Sequence, residues 1–146
     1  MNGVHLGLKS ASEFEDALNS IDEIVRGDTG YLVETQAESG SDLFVAVRLD
    51  PTWGSIGLLG LGGTEVEQRG DVQMFALPIP EHLLATRLTD LGLPEDIDVA
   101  SLQELYTTMT KALASWSGSG ATSFEVNPLR VTDTGLVALD ALISHD

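Results

Sequence analysis

Three oxygen-bearing side chains lie near the end of the chain, in the stretch FEVNPLRVTDTGLVALD at 124–140. Glu125 and Asn127 are two residues apart, so on a β-strand both project from the same face. Pro128 is predicted to end the regular pairing of this strand. The turn signal Asp-Thr-Gly and the apolar run after it predict a hairpin that brings Asp140 close to the first two residues. Two carboxylates and an amide on one face form a hard-oxygen site suited to magnesium.

The composition limits the protein class and its partners. The chain has 146 residues, 42% hydrophobic and 5% aromatic, which is enough for a single domain over 1–146 with an aliphatic core. The net charge of -16 argues against nucleic-acid binding, because so acidic a surface repels phosphate backbones. Without Cys, disulfides, thiolate nucleophiles and Cys-ligated zinc are excluded. No signal pattern or membrane-length apolar window is found, so we expect a soluble, cytoplasmic protein with no membrane partner.

Strands and helices alternate irregularly along the chain. The patterns predict helices over 10–26, 81–91 and 99–116 and strands over 3–8, 31–35, 42–49, 55–61 and 72–77. Ser10 and Glu13 have the spacing of a capping box at the start of the first helix. Because tight turns join several of the strands, we predict an α+β fold, with a mainly antiparallel sheet and helices packed on it.

A glycine-rich stretch, Gly60-Leu61-Gly62-Gly63, follows one predicted strand. Glycine loops let backbone N–H groups approach an anion closely. A simple turn is the commoner explanation, and the stretch lacks both the Lys-Ser/Thr ending of a P-loop and the spacing of a dinucleotide fingerprint. Taken without other support, the stretch 124–140 is also most simply a polar hairpin, because paired exposed carboxylates are common.

Three segments carry motifs in a consistent order: GVHLGLKS at 3–10, the stretch YLVETQ to GGTEVE at 31–67, and FEVNPL to LDALI at 124–143. Together they resemble the later part of the ATP-grasp domain of ADP-forming acyl-CoA (acetyl-CoA) synthetases, with the succinyl-CoA synthetase beta subunit as a more distant relative. They are similar to that family's GV-x-LGL-x-S segment, to its hinge, Asp-Pro turn and Gly-Gly loop, and to its acidic-x-Asn-Pro-Leu and Leu-Asp-Ala pattern. The resemblance covers nearly the whole chain and implies the C-terminal portion of an ATP-grasp fold.

The resemblance implies a mechanism and its cofactors. In that family, ATP is clamped between two lobes and phosphorylates a histidine carried by another domain or a mobile loop. The phosphoryl group passes to or from a carboxylate, coenzyme A then takes the acyl group, and magnesium bridges the nucleotide phosphates. The implied cofactors are therefore Mg²⁺ and ATP/ADP, with coenzyme A as a substrate of the complete enzyme.

The resemblance also assigns roles around the metal and the transferred phosphate. Asn127 and Asp140 match the metal ligands. Glu125 matches the acidic residue beside them, which either holds the metal or orients the phosphorylated histidine. Gly62 and Gly63 match the loop near the transferred phosphate and join Glu125 as the implied catalytic residues.

The nucleotide-binding residues follow from the same comparison. Val33, Glu34 and Thr35 match the adenine hinge, whose backbone groups contact the base. The family hinge usually reads Gln-Glu-Met, whereas here it is Glu34-Thr35-Gln36, so the acidic side chain is shifted or lost. Asp42 stands where the family usually has a Glu on the nucleotide side.

The phosphate-binding Lys of the family's earlier lobe has no match in this chain. Lys9 and Lys111 both fall in predicted amphipathic helices, and the family's His-containing stretch before the GV-x-LGL strand is also absent. The expected partners are therefore the missing N-terminal ATP-grasp lobe and CoA-binding or ligase domains or a subunit, and the chain alone is expected to be inactive. The alternative is a degenerate, non-catalytic ATP-grasp module used for subunit assembly or regulation.

Overall fold

The computed structural model describes residues 3–24, 30–62, 72–93 and 97–145. Its helices are α1 (Ala11–Ile24), α2 (Glu81–Asp90) and α3 (Val99–Trp116), followed by a 3-10 turn (Ser117–Ser119). Its strands are β1 (Ser41–Asp50), β2 (Gly54–Leu61), β3 (Gln73–Ala76), β4 (Ala121–Thr132), β5 (Gly135–Ala138) and β6 (Ala141–His145). The chain divides into two compact units, Met1–Glu38 and Ser39–Asp146. None of the described helices is long and apolar enough to cross a membrane.

The first unit contains α1, which is capped as its sequence predicts. The Ser10 hydroxyl accepts a hydrogen bond from the N–H of Glu13 at 3.2 Å, which satisfies a donor of the first helical turn. The strands predicted over 3–8 and 31–35 are wrong, because neither segment takes part in a ladder among the described residues. Alternating apolar residues favour an extended chain, but a strand also needs a hydrogen-bonded neighbour.

The second unit is built on one antiparallel sheet. The described strands follow the order β3-β2-β1-β4-β5, and β6 also pairs with β4. The strands predicted over 42–49, 55–61 and 72–77 correspond to β1, β2 and β3. Asp50 holds the β1–β2 turn, since its Oδ1 accepts the N–H groups of Thr52 and Trp53, both at 2.8 Å. The α+β prediction is therefore confirmed.

The predicted hairpin after β4 is present. Leu129 pairs with Ala138 of β5 and Val126 pairs with Ala141 of β6, so β5 and β6 continue one register along β4. Between them, the N–H of Leu139 donates to the Pro128 carbonyl at 3.0 Å. β5 and β6 therefore act as one long return strand beside β4.

A bulge in β4 lies at Pro128. Leu43 of β1 pairs with Leu129 and Val45 pairs with Val126, so two steps along β1 correspond to three along β4. The prediction that Pro128 ends the pairing is wrong, because the ladder resumes on the far side. Proline has no N–H to donate, and a bulge is one of the places where a sheet accommodates it.

The core lies between the sheet and the two helices α2 and α3. Its fully buried members come from both layers: Leu43, Val45, Val47, Leu59 and Leu129 from the sheet, and Leu84, Leu102, Tyr106, Met109 and Leu113 from the helices. The Met and aromatic spacing on α3 is thus a core stripe, as predicted. Asp98 caps α3 by accepting the N–H of Ser101 at 3.2 Å.

Replacement of Tyr106 by Phe is expected to destabilise the fold. The Tyr106 hydroxyl donates to the Leu58 carbonyl at 2.6 Å, and Tyr106 is 1% exposed. Losing this donor in a buried place costs about 1–3 kcal/mol. Burial raises the pKa of Tyr106 above its ordinary value of 10.0, so its stabilising contribution is complete below that pH and is lost as pH rises beyond it.

Denaturant unfolding at neutral and alkaline pH checks both parts of this expectation. Tyr106→Phe should be less stable than the parent at neutral pH, and it should lose less stability than the parent on going to alkaline pH. An equal alkaline loss in both proteins would contradict the assignment to Tyr106.

Candidate functional site

The candidate site lies on the sheet face that points away from the helices. Val126 is 3% exposed and belongs to the core cluster. Glu125 and Asn127 flank it on β4 and are both partly exposed. Since successive side chains of a strand point to opposite faces, these two project from the face that the helices leave uncovered.

Asn127 and Asp140 are cross-strand neighbours. The N–H of Asn127 donates to the backbone carbonyl of Asp140 at 3.1 Å, in register with the pairs on either side. Residues directly opposite each other have Cβ atoms about 4.5–5.5 Å apart on the same face. Glu125 lies opposite Leu142, which makes it a diagonal neighbour of Asp140. The hairpin therefore brings the three predicted metal-site residues together on one face.

The Asp140 side chain is held in place locally. Asp140 is exposed, and its Oδ1 accepts the N–H of Ala141 at 2.8 Å. A hydrogen bond to its own strand restricts the carboxylate while leaving further lone pairs for another ligand. Asp140 lies in the short gap between β5 and β6, at the level of the bulge in β4.

The side chains of this site suit a magnesium ion that also binds water and phosphate better than they suit an ion that binds only protein ligands. In the described ranges, no three His, Asp or Glu side chains are arranged to hold an ion. The site instead offers Glu125 and Asp140 as carboxylates and Asn127 as an amide. Magnesium usually keeps several waters and binds through one or two carboxylates together with substrate phosphates. A partial set of hard oxygens is therefore the expected form of a site that a nucleotide completes.

Asp42 makes a bidentate ion pair that the sequence did not reveal. Arg130 Nε donates to Asp42 Oδ1 at 2.8 Å and Nη2 donates to Oδ2 at 2.9 Å. The two residues are cross-strand partners on β1 and β4. The hydrogen bonds to Asp42 raise the pKa of the Arg130 guanidinium. Arg130 is thus a cation that sequence reasoning missed, and its only signal was its place three residues after Asn127.

The glycine loop begins against the backbone of Asp42. The N–H of Gly62 donates to the Asp42 carbonyl at 2.7 Å, and a Cβ at Gly62 would lie 2.6 Å from the backbone of Leu43. Only glycine allows so close an approach without displacing that backbone. Gly63 lies outside the described residues.

The predicted adenine hinge belongs to the first unit. Val33, Glu34 and Thr35 are all exposed. Next to them, the Gln36 side chain accepts the N–H of Gly7 at 2.5 Å. Their assignment to adenine binding stays a prediction.

The ATP-grasp domain family matches residues 1–144, which is nearly the entire chain. This chain belongs to the ATP-grasp domain family. The resemblance inferred from the sequence motifs is thereby confirmed.

Similar ATP-grasp proteins are CoA ligases. A trans-feruloyl-CoA synthase from an unknown prokaryotic organism is 30% identical over 97% of this chain. An ADP-forming acetate–CoA ligase II from Archaeoglobus fulgidus is 26% identical over 98% of the chain. The chain spans 22% of the length of each of these two relatives.

A solved structure supports the same fold. The acetyl-coenzyme A synthetase 1 of Ca. Korarchaeum cryptofilum, determined with coenzyme A and Mg-AMPPCP, matches with a TM-score of 0.70 at 21% identity. The match covers 97% of this chain and 67% of that one. At this identity the likeness shows only that the two proteins share a fold.

Proposed function

We propose that this chain is the ATP-grasp portion of an ADP-forming acid–CoA ligase, where it forms the magnesium and phosphate side of the nucleotide site. The observation that carries the proposal is the register of the β4 hairpin, which sets Asn127 opposite Asp140 with Glu125 beside them. Membership of the ATP-grasp family and similarity to ADP-forming CoA ligases support it.

In this proposal Asn127 and Asp140 bind the metal, and Glu125 either completes the ligand set or orients the acceptor histidine. When bound, Mg²⁺ supplies positive charge that offsets the charge of the phosphate oxygens during transfer. The chain's own contribution is to hold the ligand oxygens on adjacent strands. Asp140 is restrained by Ala141, and the ladder bond from Asn127 fixes the distance between the two strands.

The phosphoryl acceptor in this proposal is a histidine outside this chain, on a segment that enters the site. Such a transfer breaks the bond between the γ-phosphorus and the bridging oxygen, forms a phosphorus–nitrogen bond and leaves ADP. A Glu beside the metal site suits the task of orienting the imidazole, because a carboxylate can accept the N–H of the ring nitrogen that does not attack the phosphate. The remaining lobe, the CoA-binding region and the acid site belong to partner segments or domains.

A second candidate function is a non-catalytic ATP-grasp module used for assembly or regulation. The observation that favours it is the altered hinge, in which Gln36 is already engaged by the N–H of Gly7. The grouping of Glu125, Asn127 and Asp140 on one sheet face argues against it, because a module without a ligand has no physical need to collect carboxylates. Like charges placed together destabilise a surface unless a cation offsets them.

Nucleotide binding is the test of the proposed function. The chain is combined with a polypeptide that carries the complementary ATP-grasp lobe, and ATP binding is followed by calorimetry with magnesium and with EDTA. We expect binding that requires both magnesium and the added lobe, because the metal side alone leaves the phosphates without enough cations. The complementary lobe alone is the control. Absence of ATP binding by the assembled pair would overturn the proposal.

A further inference from the structure

The nucleotide site proposed above needs cations, and this chain has few. It carries seven Lys and Arg against 23 Asp and Glu. Arg130 follows Asn127 by three residues on β4 and is the cation nearest to it in sequence. Whether it serves the site depends first on which face of the sheet it occupies.

The bulge in β4 places Arg130 on the sheet face that holds the candidate site, the face that points away from the helices. Glu125 and Arg130 are five residues apart, an odd number that would place them on opposite faces of a regular strand. Their partners on β1 are Ala46 and Asp42, four residues apart. β1 pairs with β2 without any register shift, so Ala46 and Asp42 share a face. Arg130 therefore lies on the same face as Glu125, because of the extra residue at the bulge.

Asp42 fixes the orientation of Arg130. The Asp42 carboxylate occupies Nε and one donor of Nη2, which are two of the five N–H donors of a guanidinium. Among the described residues no hydrogen bond to the other three donors is found, so they can bind a second acceptor. The Arg130 and Asp42 side chains are 24% and 26% exposed, so the pair is partly shielded yet open to a ligand. A preoriented guanidinium suits phosphate, which it can contact through two parallel hydrogen bonds.

Gly62, the first residue after β2, lies at the same end of the sheet. Gly62 donates its N–H to the backbone carbonyl of Asp42, the residue whose side chain holds Arg130. Asp42 therefore links Gly62, through its backbone carbonyl, to Arg130, through its side chain. Along the face, the order is Gly62, the Asp42–Arg130 pair, and then Asn127 with Asp140.

We propose that Arg130 contacts the phosphate chain of the bound nucleotide and that Asp42 is its positioning residue. The inference rests on the proposed function, because it requires a nucleotide on this face. The resemblance placed Asp42 on the nucleotide side of the site. In this proposal Asp42 acts on the nucleotide indirectly, by positioning Arg130. It also means that the chain supplies one phosphate-binding cation of its own beside the metal ligands.

Arg130→Gln tests the contact in the chain assembled with its complementary lobe. Binding of ATP, ADP and adenosine is measured by calorimetry or competition, at low and at saturating magnesium. We expect ATP and ADP affinity to fall by about 10- to 100-fold, the range for a lost hydrogen bond to a charged group. Adenosine affinity should not change, since adenosine has no phosphate. The loss should persist at saturating magnesium, which separates Arg130 from the metal ligands, because excess magnesium offsets the loss of a metal ligand but not the loss of a phosphate contact.

Two further variants separate binding from folding. Arg87→Gln removes the same charge from α2 on the helix layer and should leave ADP affinity unchanged. If Arg130→Gln does not fold, Asp42→Asn combined with Arg130→Gln removes both charges and leaves no unpaired ion, and the same affinity loss is expected. Thermal unfolding of each variant verifies that the compared proteins are folded.

The outcomes distinguish this inference from the proposed function. If the parent binds Mg·ATP and Asp140→Ala does not, but Arg130→Gln binds as the parent does, the proposed function holds and the role of Arg130 is overturned. Equal weakening of adenosine and ADP in Arg130→Gln would also overturn it, in favour of a purely structural ion pair. If the assembled parent binds no nucleotide, both fail.

Discussion

Asp140→Ala is expected to remove magnesium-dependent nucleotide binding from the assembled ATP-grasp site. The change deletes one of two carboxylates on the sheet face that holds the candidate site, while the backbone hydrogen bond from Asn127 to residue 140 is retained. Loss of an outer-shell residue already costs about 10–100-fold in metal affinity, so loss of a ligand should weaken Mg·ATP binding by roughly 100-fold or more. Calorimetry with a series of magnesium concentrations measures the effect.

The matched control for this prediction is Asp133→Ala. Asp133 is an exposed carboxylate on the same hairpin, at the turn between β4 and β5, so it reports the effect of removing a negative charge nearby. It should bind Mg·ATP like the parent. Unchanged nucleotide binding and unchanged activity of the complex in Asp140→Ala would contradict the metal role and favour the non-catalytic module.

Leu43→Ala is expected to cause the largest loss of stability. Leu43 is fully buried, with 0% exposure, and it lies on β1 between Leu61 of β2 and Leu129 of β4. Truncating a buried Leu removes its transfer free energy and leaves a cavity, at a cost of about 2–5 kcal/mol. Equilibrium unfolding in urea measures the change, provided that the transition is two-state.

Leu142→Ala is the control for the core prediction. Leu142 is 58% exposed on β6, so the same truncation should change the free energy of unfolding by less than about 0.5 kcal/mol. Similar losses of stability in the two variants would contradict the assignment of Leu43 to the core.

The elements that the sequence predicted well are those whose signals are local. α3 has an apolar stripe over five turns and an Asp cap, and its observed bounds, Val99–Trp116, agree with the prediction. The β4–β5 hairpin has a Gly turn between two apolar runs. For such elements the hydrogen-bond partners lie within a few residues or across one tight turn, so their spacing in the sequence carries the information.

The failures come from partners that the sequence pattern does not identify. The segments 3–8 and 31–35 have strand-like alternation, but an extended segment becomes a strand only when another one pairs with it. Pro128 was expected to end the pairing, yet the ladder continues because β4 takes up an extra residue there. Whether a strand ends or bulges depends on what its neighbours can pair with on the far side.

The sequence by itself determined the family, the α+β class and the grouping of Glu125, Asn127 and Asp140, because motifs and a short hairpin encode them locally. Only the tertiary structure decided that Arg130 shares their face. The placement of Arg130 depends on its ion pair with Asp42, 88 positions earlier in the chain, and on a bulge that reverses which face of the sheet the later side chains of β4 occupy. Register between distant strands is set by the packing of the whole sheet, so no local pattern predicts it.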